Sequence, residues 1–444
     1  MQIIQEQTAT MEAMVADILT EAQQLGTSAA EAAVIQNTGF SVNVRMGQVE
    51  TVEYTKDRSL GITVYFGTSK GTASTTDLGL AAIRDTVAAA CKIAKYTQGD
   101  PCNGLADPEL MAQEIPNLDL HHTWPIDTDQ AIQLAVECEA TARQFDARIT
   151  NSEGAAVDSH AGLYVYGNSH GFIGSYPSTM HGISCTVLSS DTDGTQRDYW
   201  WTRGHSHTEM ELPTSVGSKA AARALARLGS RAIKTCTAPV ILQADIAGGL
   251  LRNFISAING HKIYRQSSFL LDHLDKPIFP EFVNIYERPH IKRGIGSAPF
   301  DGEGVATKAK DLITNGILQS YILDSYAARK LGMQSTGNAG GVHNIKIDVG
   351  SMDLQQLLTT MGTGVLVTEI LGQGVNLVTG DYSRGAAGFW VEQGNIAYPI
   401  EGITIAGNLK DMFMGLQAIG HDIDTRQNIQ TGSWLLSPMT IAGN

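Results

Sequence analysis

The chain has 444 residues, more than one compact core usually holds, so two domains are expected. Hydrophobic residues make up 43% and charged residues 17%, which is apolar enough for a large buried interior. The formal charge of −14 excludes the lysine and arginine surplus that a phosphate backbone demands, so no nucleic-acid partner is expected.

The first predicted element is a helix in "TMEAMVADILTEAQQLG", where Met11, Met14, Val15, Ile18 and Leu19 fall at helical spacing and Gly26 acts as a stop. The alternating runs "AAEAAVIQ", "FSVNVRMGQVETVEYT" and "SLGITVYFGTSKGTASTT" predict half-buried strands, with "MGQ" and "GTSKG" as hairpin turns. Amphipathic helices follow in "DLGLAAIRDTVAAACKIAKYT" and "DTDQAIQLAVECEATARQFD". Strands return in "ITNSEGAAVDSHAGLYVYGNS" and "HGISCTVLSSDTDGTQRDYWWTR", then a helix in "SVGSKAAARALARLGSRAI". The texture changes near residue 236: "APVILQ" reads as a strand, "DIAGGLLRNFISAING" as a helix, and the rest as glycine-punctuated strands with a hairpin at "EQGN". Such strands suggest a twisted or barrel-like sheet. The expected fold class is α+β. Residues 1–235 form an N-terminal domain of antiparallel strands with flanking helices, and residues 236–444 a β-rich, barrel-like C-terminal domain.

The five cysteines (Cys91, Cys102, Cys138, Cys185, Cys236) are scattered and never form a C-x-x-C pair, which fits a reducing compartment. The start lacks a basic stretch followed by an unbroken apolar run, and no run of about 18 apolar residues occurs anywhere. A cytoplasmic protein without a membrane span is expected.

The stretch "NFISAINGHKIYRQSSF" decides the chemistry. It has the outline of a zinc-peptidase helix, in which two histidines on one face hold the metal and a glutamate activates the bound water. A spacing of H-E-x-x-x-H would need a local bulge to bring the second histidine back, and a glycine beside it would ease that. Here only His261 stands as such a ligand, because Ser256 is a poor donor for zinc and Ala257 has no proton-transfer group. Other candidates are weaker. His205, His207 and Glu209 in "GHSHTEM" would face one side of a strand. His121 and His122 read as loop, "STGNAGGVHN" lacks the lysine of a phosphate loop, and Ser383 lacks a nucleophile-elbow frame.

Long strings of the sequence resemble one family. "VRMGQVETVEY" and "LGITVYFGTSKGTASTTDL" resemble its beginning. "YRQSSFLLD", "PFDGEGVATK", "YAARKLGMQSTGNAGGVHN", "GDYSRGAAGFWVEQGNIAYPIEGITIAGNLKDM" and "NIQTGSWLLSPMTIAG" continue the likeness to the C-terminus. The family is TldD/PmbA, and within it the PmbA branch, also called TldE. The resemblance implies a cytoplasmic zinc peptidase of paired TldD and TldE subunits that degrades unfolded peptides, matures peptide antibiotics and turns over an antitoxin. The TldD-type subunit carries H-E-x-x-x-H and a late cysteine. Those positions would fall on Ser256, Ala257, His261 and a place near Thr431 in this chain, so two of three ligands and the base are absent.

On this reading the chain has no catalytic residues and no metal of its own, zinc being expected in a TldD-type partner. Extended peptide would be held in a shared cleft, with sheet edges and His261, Tyr264, Arg265, His343 and Arg384 as candidate contacts. Arg384 could meet a peptide carboxylate or pair with Asp381. The alternatives are a serine hydrolase using Ser256 or Ser383, and a non-enzymatic homo-oligomer, such as an isolated homodimer, serving as a scaffold in gyrase-inhibitor or carbon-storage regulation.

Overall fold

The structure is a computed structural model that describes residues 2–192 and 194–443. In its first half α1 (Gln2–Gln24) precedes β1 (Ala29–Arg45), β2 (Gln48–Phe66) and β3 (Ser69–Thr75). Then come α2 (Leu80–Tyr96), α3 (Thr128–Gln144), β4 (Ile149–Asn168), β5 (Ile173–Asp191), β6 (Gly194–Gly204) and α4 (Pro213–Ala226). The strands form one antiparallel sheet in the order β3-β2-β1-β4-β5-β6. "AAEAAVIQ" and "FSVNVR" are one continuous strand: Ala30, Ala32 and Val34 share a buried face with Val42 and Val44, and Gln36 and Thr38 lie between them on the same ladder.

All four helices cover one face of this sheet. Ala30, Ala32, Val34, Leu163 and Val165 pack under α1 and α2, while Val42, Val44, Ala155 and Val157 pack under α3 and α4. The β1–β2 turn is a two-residue loop with φ of 52° at Met46 and 76° at Gly47, the backbone that matches the strand twist. Its two N–H groups donate to the two carboxylate oxygens of Glu139, each at 2.7 Å, and Glu139 is fully buried on α3.

The second half holds β7 (Cys236–Leu242), α5 (Ala244–Ala257), α6 (Gly260–Tyr264), β8 (Ile285–Glu287), β9 (Lys310–Thr314), β10 (Ile317–Leu318), α7 (Ser325–Leu331) and β11 (Ile345–Ile347). It continues with α8 (Leu354–Met361), β12 (Gly364–Leu371), β13 (Asp381–Glu392), β14 (Asn395–Asn408), α9 (Leu409–Met414), β15 (Leu416–Ile419), β16 (Ile429–Gln430) and β17 (Trp434–Ala442). Strands β14-β13-β12-β7-β17 pair in sequence, and β14 pairs again with β17, so this sheet closes into a five-stranded barrel with β15 hanging on β17. A smaller sheet runs β10-β9-β8-β11-β16. Alternate residues of the barrel strands serve two layers. Val240, Leu242, Val365 and Val367 join the large cluster containing α5, and Ile241 and Leu366 join α8. Strands dominate this half, as its glycine density suggests, but α7, α8 and α9 interrupt them, and "GVLVTEILGQGVNLVTG" is strand only over Gly364–Leu371.

Many contacts join the halves, ion pairs such as Lys330–Asp100 and Arg227–Glu369 among them, and aromatic rings take part in others. Phe300 enters an aromatic cup on the helix-free face of the first sheet, its ring 5.3 Å from Phe172, 5.5 Å from Tyr176 and 6.1 Å from Tyr164. Arg426 stacks over Trp200 and Trp201, with its Cζ 3.8 and 4.7 Å from the ring centroids, and Asp424 holds it at 2.8 Å. Among the described residues no helix is long and apolar enough to cross a membrane.

Candidate functional site

Helix α5 carries an apolar stripe of Ala247, Leu250, Leu251, Phe254 and Ile255 that packs on the barrel, and this stripe positions the motif segment. The helix does not run on to His261. It ends at Ala257, and the Ile258 carbonyl and Gly260 N–H bond instead to Ile322, at 3.0 and 2.8 Å. A side chain on Gly260 would meet Leu323 Cδ2 at 2.5 Å and Ala327 Cβ at 2.8 Å, so the close approach of α7 requires glycine there. Asn259 then caps α6 by accepting from the His261 N–H at 3.0 Å. The expected bulge is thus a full break, stitched by a segment about sixty residues downstream.

His261 leaves this break partly exposed, with Nε2 2.6 Å from Asp324 Oδ2. Asp324 is the N-cap of α7 and also accepts from Ala327 N–H at 2.7 Å. The imidazole lies parallel to Tyr326 at 6.0 Å and is tilted against Tyr264 at 5.5 Å, and Arg265 covers Tyr264 and donates to its hydroxyl at 3.0 Å. His261, Tyr264 and Arg265 therefore do come together. Asp324 and Tyr326 were not anticipated, although "DSYAARKLG" carries the signal: an aspartate N-cap and a glycine stop at Gly332, where φ is 65°.

Two of the other motif positions, Ala257 and Thr431, are closed, and Ser256 is half-buried. Ala257 has no exposed surface, and its carbonyl accepts from Ser268 Oγ at 2.6 Å. Thr431 is 1% exposed, and its hydroxyl accepts from the Trp434 indole N–H at 2.6 Å. The loop before Thr431 meets α5 at Arg252, whose guanidinium reaches Gln427 at 3.0 Å, about one turn before Ser256. These residues do not fit zinc. Only one imidazole stands at the motif positions, the threonine hydroxyl is engaged by Trp434, and among the described residues no three His, Cys, Asp or Glu side chains converge on a point.

His343 and Arg384 lie elsewhere. His343 is buried, with its N–H on Glu287 at 2.7 Å and its ring nitrogens facing the carbonyls of Gly296 (3.2 Å) and Gly337 (3.4 Å). Burial pushes its imidazole below the usual histidine range, against the pull of Glu287. Arg384 does not pair with Asp381, which bonds Thr379 and Asn408; Arg384 donates to the Leu371 carbonyl at 3.2 Å and lines a cavity between the halves. The strand reading of "GHSHTEM" also fails. β6 ends at Gly204, and Ser206 caps a single turn at His207–Glu209. His205 is buried on the Thr179 carbonyl at 2.6 Å, His207 stacks on Trp124, and Glu209 pairs with Arg293 at 3.0 Å.

Behind Asp324 sits a half-buried carboxyl, Glu303. Burial pushes it up to about 7, the charges of Asp301 and Asp324 add to the rise, and the Ser325 N–H at 3.0 Å opposes it. The folded chain holds this proton more tightly than the unfolded chain. Its stabilising contribution is therefore complete below the ordinary value of 4.5 and is lost as pH rises to about 7. Glu303→Gln should remove a loss on the order of 3 kcal/mol between about pH 5 and pH 8, read from urea midpoints at the two values. Parallel pH profiles for the two proteins would contradict this.

The comparisons with known proteins agree with this architecture. The family model described as "PmbA/TldA metallopeptidase C-terminal domain" matches residues 235–443, with the central domain at 121–228 and domain 1 at 30–94. The chain is 51% identical over 414 residues to Metalloprotease PmbA of Escherichia coli O157:H7, covering 93% of this chain and 92% of that one. The chain belongs to the PmbA/TldD metallopeptidase family. It sits on the PmbA side: a PmbA homolog of Haemophilus influenzae is 49% identical, covering 94% of this chain and 93% of that one, whereas chains named TldD homolog match at 22% to 25%. The PmbA/TldD fold is seen in a solved structure described as a modulator of DNA gyrase from Bacteroides thetaiotaomicron. That structure has a TM-score of 0.92 at 24% identity and covers 97% of this chain and 98% of that one.

Proposed function

We propose that this PmbA-branch chain is the TldE-type, non-catalytic subunit of a cytoplasmic TldD/TldE zinc peptidase acting on unfolded peptides, including peptide-antibiotic precursors and antitoxin. The observation that carries the reading is the state of the four motif positions. Ser256 offers no ligand, Ala257 no base, His261 is bonded to Asp324, and Thr431 is locked under Trp434. Zinc and the water it activates belong on this reading to a TldD-type partner. What this chain contributes is a wall for the peptide.

Closure of the barrel removes most free edges in the second half, so the open edge is better sought on β2. Strand β3 pairs only Leu60–Phe66, which leaves Gln48–Ser59 paired on the β1 side alone. An extended peptide could add there through main-chain bonds. His261, Tyr264 and Arg265 form the second candidate contact surface, beside the break after α5. The same open edge exposes Val49, Val52 and Tyr54, which also favours a self-associating scaffold as a second reading.

The two readings separate in one assay: peptide hydrolysis by this chain, by a TldD-type subunit, and by their mixture. Turnover confined to the mixture, or raised in it at least about tenfold over the partner alone, supports the subunit reading. A stable homodimer that neither binds nor stimulates the partner supports the scaffold.

A further inference from the structure

Where β6 and α4 of the first half meet α5, β12 and β13 of the second lies a cavity of about 270 Å³. None of the four motif positions lines it. Its walls carry three carboxylates, Asp198, Asp245 and Glu369, and three guanidiniums, Arg223, Arg252 and Arg384. Part of this charge is already paired. Arg223 bridges Asp198 at 2.9 Å and Asp245 Oδ2 at 3.1 Å, and Arg227 takes Glu369 at 2.5 Å.

The remainder is unbalanced at two places. Among the described residues Arg252 and Arg384 have no carboxylate partner; each makes one hydrogen bond, to the Gln427 amide and to the Leu371 carbonyl. Each guanidinium therefore keeps donors suited to a planar anion. At the other place, Asp245 Oδ1 is buried and accepts no hydrogen bond from a described residue, although its partner oxygen is paired. A buried carboxylate oxygen left bare is unfavourable, so a donor brought to it would be favoured. A simple anion would answer only the arginines, and a simple cation only Asp245. A molecule with both charges answers both.

We propose that this cavity binds a small zwitterion of the amino-acid or short-peptide class, its carboxylate on Arg252 and Arg384 and its ammonium on Asp245. The volume lies just under the roughly 300–1,000 Å³ of ordinary small-molecule pockets, so it suits one or two residues with free ends and not a passing chain. The site is built by this polypeptide alone, without metal or partner subunit, so it stands or falls independently of the pairing proposed above.

The test is calorimetry on the full chain with alanyl-alanine, its N-acetyl derivative, its C-terminal amide, free alanine and inorganic phosphate. Alanyl-alanine or alanine should bind, and acetylation or amidation of alanyl-alanine should each weaken binding at least about tenfold. Arg384→Gln should weaken alanyl-alanine similarly and leave the amide unchanged, because the amide has already lost that contact. Three results would overturn the proposal: no binding of alanyl-alanine or alanine up to about 10 mM, equal binding of free and capped peptides, or phosphate binding in their place. The capped peptides are read on the unaltered protein, so the answer does not depend on a variant that folds.

Discussion

Replacing Glu287 by alanine is expected to cost about 3–5 kcal/mol of folding stability. Glu287 has no exposed surface, yet its carboxylate accepts from Lys310 Nζ at 2.8 Å, from Asn338 Nδ2 at 3.0 and 3.2 Å, and from the His343 N–H at 2.7 Å. Lys310 is itself only 15% exposed. Alanine would therefore strand a buried ammonium and two amide donors at once, and stranded groups cost far more than an intact pair contributes. The glycine-rich "STGNAGGVHN" thereby gains a structural role, since its Asn338 and His343 close over this carboxylate. Urea unfolding checks the prediction, with Glu287→Gln expected to cost less because an acceptor oxygen remains. A loss under about 1 kcal/mol for Glu287→Ala would show that Lys310 finds compensation in its other acceptors, Thr336 and Asn338.

The second large effect concerns a glutamate placed where the family resemblance would put the base. Ala257→Glu is expected to destabilise the fold by at least about 3 kcal/mol, because Ala257 lies wholly within the apolar cluster around Phe254, Ile258 and Ile263. The added atoms overfill a packed core, and the carboxylate would be taken from water with no cation to meet it. Ser256→His, at a half-buried position, should cost under about 1.5 kcal/mol. The contrast between the two, read from denaturant midpoints, separates a position open to a new side chain from one whose interior is closed. Equal and small effects would mean that the cavity for a base is still present.

Much of this was legible in the chain. Helix α3 could be read because Ala131, Ala135, Cys138 and Ala142 recur on one face behind an aspartate that forms a capping box with Gln130. The "EQGN" hairpin was legible for a local reason too, since its turn places Gln393 and Gly394 at positive φ. What stayed hidden is non-local. A barrel-like sheet was expected from the glycine-punctuated strands and is found, but the pairing that closes it, β14 on β17 as in Thr404 against Ala442, has no local pattern. The break after Ala257 is imposed by Ile322, and His261 is held by Asp324, both far downstream. Glu139 and Glu287 run against the usual exposure of glutamate, so their roles emerge only once their donors are folded around them. In "GHSHTEM" the alternation was real, but Ser206 turns the chain before the strand can use it.

The family of the chain was carried by long strings, and the proposal about its chemistry rests on four positions. The charged cavity between the halves had no sequence signature, because Asp245, Arg252 and Arg384 are brought together by packing of α5 on the barrel.

The most direct test of the central claim is metal stoichiometry measured together with peptide turnover on the purified chain, with no partner present. The account predicts zinc well below one equivalent and no chelator-sensitive hydrolysis. Equimolar, tightly held zinc with matching turnover would contradict it.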